Sequence, residues 1–142
     1  MFEFLDHTAD TAVRLTAPDE AGLLREAASA LLAIQLGEGS ANRVRSALDA
    51  PLELTAEDGE ALLIDFLNEL IYRFDTERLL VAEVEVDSAS FAHPAHVSCR
   101  LRGETLDPTR HVARTEVKAA TFHGLEVRKN EQGWSADVVF DL

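Results

Sequence analysis

The sequence predicts an α+β fold: two helices packed on a largely antiparallel β-sheet system, in the order β-β-α-β-α-β(n). Three observations predict it. Apolar and polar residues alternate at both ends of the chain. Two stretches between them carry apolar residues at helical spacing. A run of further alternating segments follows the second of these stretches. A length of 142 residues fits one domain spanning 1–142, and no Pro/Gly/Ser linker or internal repeat divides it.

Each element has its own signal. Phe2 and Phe4 flank Glu3, a short strand, and the turn-forming run Asp6 to Asp10 breaks it. Val13 and Leu15 alternate with Arg14 and Thr16, a second strand that can close a hairpin with the first. Pro18 and Asp19 open a helix, with Pro18 suited to its first position, and Leu24, Ala27, Ala28, Leu31 and Ile34 form its apolar stripe. Gly37 stops it, and residues 38–50 read as a polar loop. Leu52 and Leu54 mark a third strand. Asp58 is a good N-cap for a second helix with Leu63, Phe66, Leu67, Leu70 and Phe74 on one face. Asp65, Asn68, Glu69 and Tyr72 share the other. The rest is β: Leu80 to Val86, Val97 to Leu101, 117–122, 125–127 and Trp134 to Asp141, with a turn at Asn130 to Gly133. Gly103-Glu104 reads as an isolated turn.

Composition narrows the function. Asp and Glu number 26 against 13 Lys and Arg, a formal net charge of -13. Such a surface repels phosphate backbones, so direct nucleic-acid binding is not expected. It suits cations or a basic protein surface. Arg100, Arg102, Arg110 and Arg114 make a modest local cluster and not a nucleic-acid footprint. One cysteine, Cys99, excludes an intrachain disulfide and falls on an apolar alternation, where a buried thiol is expected. The acidic N-terminal residues do not read as a signal peptide, and the apolar stretches are too short to span a bilayer. A cytoplasmic protein without membrane contact is the expectation.

The residues able to carry chemistry are mostly carboxylates. Asp6 and Asp10 bracket the first turn, Asp65 lies on the polar face of the second helix, and Asp141 ends the last strand beside Leu142. Oxygens converging from such positions would suit a hard cation such as Ca²⁺ or Mg²⁺; as turn, cap and solvated-face residues they would need no ligand. His7 and His123 each sit beside an acid-bearing strand end, where an imidazole can orient a carboxylate or shuttle a proton. His93-Pro94-Ala95-His96 reads as a surface loop. Lys118 falls on an alternating strand near Glu116, an ion-pair position or a local neutraliser of acids. No nucleophile elbow, P-loop or dinucleotide fingerprint is present.

Several blocks, in order, carry a family resemblance. They are Phe4-Leu5-Asp6-His7-Thr8-Ala9-Asp10, Asp65-Phe66-Leu67-Asn68-Glu69-Leu70 with Phe74-Asp75-Thr76-Glu77, and Gly103-Glu104 with Asp107-Pro108-Thr109-Arg110-His111. Thr115 to His123 and Val139-Phe140-Asp141-Leu142 complete the set. Together they resemble the archease family over nearly the whole chain. Thr11-Ala12 departs from the Ile-Gly often found after the family's aspartate, which restricts the backbone there. The resemblance implies a non-enzymatic accessory factor for the GTP-dependent RtcB-type RNA ligase of tRNA splicing and RNA repair. Such a factor promotes ligase guanylylation and multiple turnover and broadens nucleotide use. The resemblance also implies a divalent-metal site at Asp10, Asp141 and Leu142, the last through main-chain oxygen, with Ca²⁺ first and Mg²⁺ or Mn²⁺ as alternatives. Asp6, His7, Asp65, Lys118 and His123 would line the same surface toward the partner. The rival expectations are a stand-alone metal-dependent phosphoester hydrolase using Asp10, Asp65 and His123, or a chaperone or adaptor. Oligomeric state is not legible.

Overall fold

The computed structural model describes residues 1–5, 10–39, 43–121 and 126–142. Among them are eight strands and two helices in the predicted order. They are β1 (Phe2–Leu5), β2 (Thr11–Ala17), α1 (Glu20–Leu36), β3 (Leu48–Ala56), α2 (Gly59–Glu77), β4 (Leu79–Ser90), β5 (Ala95–Thr105), β6 (Ala119–Thr121), β7 (Val127–Asn130) and β8 (Gly133–Asp141).

The strands form two antiparallel sheets. The larger runs β1-β2-β8-β6, with β7 also on β8; the smaller runs β3-β5-β4. β8 is the axis of the larger sheet. β2 flanks it along one side, while β7 and then β6 cover successive halves of the other. Val13, Leu15, Ala136, Val138 and Phe140 face inward and are buried. Both helices touch both sheets: α1 packs on β2, β8 and β4, and α2 on β3, β4, β5 and β6. Leu23, Leu24, Leu63, Phe66, Leu67 and Leu70 fill the space between. Fully burying one such side chain stabilises by roughly 1.5–3 kcal/mol.

The ends of the helices follow their caps. The Asp19 carboxylate accepts from the Gly22 N–H and the Asp58 carboxylate from the Ala61 N–H, each filling an orphan donor. Pro18 therefore precedes the cap and does not occupy the first helical position. Gly37 ends α1 at φ 98°, a conformation other residues rarely adopt. Acids in the first turns tie the helices to distant backbone: Glu20 accepts from the Phe91 N–H and Glu60 from the Val127 N–H.

Three further sequence expectations are corrected. β3 starts at Leu48, earlier than the alternation at Leu52 indicated, and Pro51 sits within it; β3 is an edge strand, where a missing N–H costs no ladder bond. Gly103-Glu104 is not a turn but lies within β5. The Leu80 carbonyl of β4 comes so close to Gly103 that any Cβ there would collide with it. Lys118 is not on a strand: residues 111–118 are irregular, and Lys118 is exposed just before β6. Cys99 is buried as expected, and burial pushes its thiol up to about 11.

Candidate functional site at the end of the larger sheet

The β2–β8 ladder positions the acids. Its last pair is Thr11 opposite Phe140. Asp10 and Asp141 are the next residues on these two neighbouring strands, each just past that last pair. Residues from the two ends of the sequence thus meet at one end of the sheet. β6 arrives on the other side of β8, with Ala119 paired to Asp141 and the Lys118 N–H donating to the Asp141 carbonyl at 2.8 Å. Asp10 and Asp141 are each half-buried.

A cleft of about 410 Å³ opens here, lined by Asp10, Thr11 and Leu142 together with Phe4, Ile34, Gly37 and Arg114. Phe4 and Leu142 are exposed apolar side chains beside it. By strand alternation Asp141 turns away from the core face that holds Phe140, whereas the cleft opens toward α1.

Asn68 anchors β6. Its side-chain amide donates to the Ala120 carbonyl at 3.1 Å and accepts from the Ala120 N–H at 2.9 Å, replacing a ladder partner on the β6 edge. Asp65, exposed one turn earlier on α2, shares the face that carries this contact. The sequence put Asn68 on the right face but held no signal for this bond, because its partner lies 52 residues away. Asp6, His7 and His123 lie outside the described residues.

Among the described residues, no group of three His, Cys, Asp or Glu side chains is placed to hold a metal ion. The residues at this end of the sheet, Asp10, Asp141 and the Leu142 main chain, offer hard oxygens only. Oxygens of that kind suit Ca²⁺ or Mg²⁺ over zinc or copper.

A second cluster sits beside the first. Glu104 of β5 is buried. Its carboxylate accepts from the Arg45 N–H and from the Arg110 guanidinium, and the His111 ring is 3.6 Å away. These donors hold its carboxyl below the usual range, the Arg45 backbone bond being the largest cause. His111 Nδ1 accepts from the Asp107 N–H at 2.9 Å, which fixes the proton on Nε2, directed to the Arg43 carbonyl at 3.1 Å. Asp107 accepts from the Thr109 N–H and hydroxyl and from the Arg110 guanidinium, and it too is held low, chiefly by Thr109. The Gly103-Glu104 and Asp107 to His111 blocks of the sequence thus form one knot. The arginine cluster seen in the sequence divides: Arg100 and Arg102 pair with Asp49 and Glu85 on the outer face of the smaller sheet, while Arg110 and Arg114 belong here.

Fold and site together define a small α+β protein that gathers carboxylates from both ends of its sequence at one end of a sheet. The sequence pattern of the Archease protein family (MTH1598/TM1083) matches residues 2–142. This chain belongs to the archease family. It is 34% identical to protein archease of Methanopyrus kandleri, over 99% of each chain. It is 33% identical to protein archease of Thermococcus kodakarensis, over 99% of this chain and 98% of that one. The solution structure of Methanobacterium thermoautotrophicum protein 1598 is similar at a TM-score of 0.82 and 32% identity, over 99% of this chain and 98% of that one. The crystal structure from Thermotoga maritima described as an archease and possible chaperone shares the fold at a TM-score of 0.60 and 21% identity, over 97% and 94%. No helix among the described residues is long and apolar enough to cross a membrane.

Proposed function

We propose that this chain is an accessory factor of an RtcB-type RNA ligase, promoting ligase guanylylation through a divalent cation held at Asp10, Asp141 and the Leu142 main-chain oxygen. What supports this reading is the end of the β2–β8 ladder at Thr11 opposite Phe140, just short of Asp10 and Asp141, in a chain of this family. Two carboxylates and a main-chain oxygen leave a six- to eight-coordinate Ca²⁺ with open positions for donors from another molecule. The cation would neutralise phosphate charge during nucleotidyl transfer. The protein's part is to hold the oxygens rigidly: β6 pairs with Asp141 itself, β2 with the preceding Phe140, and Asn68 fastens β6 to α2. Asp65 and Lys118 flank this end and would meet the ligase. A net charge of -13 favours a protein partner over RNA.

The test mixes the purified ligase with GTP, with and without this chain, and follows ligase–GMP formation. Asp10→Ala and Asp141→Ala should each lower the stimulation by about tenfold or more, the loss of one close charge-assisted contact or more, with melting temperature unchanged. Chelator should abolish it and Ca²⁺ or Mg²⁺ restore it. Full stimulation by both variants would reject the site.

A further inference from the structure

A second cleft, of about 330 Å³, adjoins the carboxylate cleft, and the two share Gly37 and Arg114. Arg43, Arg110 and His111 line it beside a single acid, Glu38, in a protein with twice as many acids as bases. Most arginines here are spent on ion pairs: Arg14 with Asp137, Arg73 with Glu69, Arg100 with Asp49, Arg128 with Glu126. Among the described residues the guanidinium groups of Arg43 and Arg114 have no such partner.

Their backbones, by contrast, are fixed. Val44 is buried in a small apolar cluster with Leu36, Phe74 and Leu80. On either side of it, the Arg43 carbonyl accepts from His111 and the Arg45 N–H donates to Glu104. Arg114 caps α1 with its own N–H, which donates to the Gln35 carbonyl at 2.8 Å, while the Gly37 N–H satisfies the Ala33 carbonyl. The helix end is thus met by backbone, and the Arg114 guanidinium is left over. Its side chain lies beside Gly37, where a Cβ would come within 2.9 Å of Nε. The buried Glu104–His111 knot thus fixes the backbone that carries Arg43, and the end of α1 fixes the backbone that carries Arg114, both beside an open cleft.

Guanidinium groups held in this way recognise phosphoryl oxygens. Next door are the oxygens suited to a hard cation. We propose that the paired clefts bind a polyphosphate chain bearing a divalent cation, as in a nucleoside triphosphate, with phosphate on Arg43 and Arg114 and the cation on the Asp10 side. The arginine half stands on its own geometry; the cation half rests on the metal site proposed above.

Isothermal titration of the isolated protein with inorganic triphosphate and with GTP, with and without Ca²⁺, tests this. Both ligands should bind, and Ca²⁺ should tighten binding. Arg43→Ala and Arg114→Ala should each weaken binding about tenfold in both conditions. Asp10→Ala should remove only the gain from Ca²⁺. Arg25→Ala, an exposed arginine on α1 away from the cleft, should change nothing. Absence of triphosphate binding at millimolar concentration, an equal loss in Arg25→Ala, or binding of an RNA oligonucleotide but of neither triphosphate would overturn the inference. Weak triphosphate binding beside intact ligase stimulation would overturn this inference alone. Arginine-dependent binding beside unaffected stimulation in Asp10→Ala would count against the metal site alone.

Discussion

Glu104 shows how much one side chain can organise. It is a buried carboxylate with donors from Arg45, Arg110 and His111 around it, and through them it sets the path of two irregular segments. Its carboxyl titrates below the ordinary range in the folded protein. The stabilisation it brings is therefore complete above the unfolded value of about 4.3 and is lost as pH falls through the lower folded value. Glu104→Gln should melt below the wild type at neutral pH. The gap should narrow once pH drops under about 4, because the wild-type carboxyl then takes up its proton. Thermal melts of both proteins from pH 7 to pH 3 check this. In the sequence Glu104 was visible only as part of a block, since a turn and a buried strand residue beside Gly look alike until the Leu80 carbonyl is seen against Gly103.

Among the elements, β6 is the weakest, at three residues. It is held on one edge by β8 and on the other by a single side chain, Asn68. Removing that amide strands an N–H and a carbonyl of Ala120. Asn68→Ala should cost about 1–3 kcal/mol, measured by urea denaturation, and should raise hydrogen exchange in β6 before the rest of the sheet. Elements were legible in the sequence where local chemistry dictates them. Asp58 and Gly37 mark helix ends by capping, and Phe66 and Leu70 mark a buried face by spacing. They were misread where a long-range partner decides. Lys118 continues an alternating pattern, yet β6 begins one residue later, where pairing with β8 starts. Residues 48–50 read as polar loop, yet pairing with β5 makes them the start of β3.

At the scale of the molecule, the two sheets share one core through the helices between them, so the protein should unfold as a unit. Phe140 lies fully buried in that core, one residue from Asp141. Phe140→Ala should cost about 3–5 kcal/mol, with the circular-dichroism and Trp134 fluorescence transitions coinciding in urea. That Asp10 and Asp141 lie at the same sheet end depends on strand order, which alternation cannot encode; the sequence supplied the acids, and the β2–β8 ladder ends beside both. That ladder also imposes a schedule. β8 follows the other seven strands in the chain, yet it is the strand on which β2, β6 and β7 all depend. At ribosomal speed, Asp10 emerges on the order of ten seconds before Asp141. Throughout that wait the flank of β2 is bare and open to stray pairing. A half-made polypeptide can hold helices and hairpins, but it has no cleft with which to engage a partner prematurely.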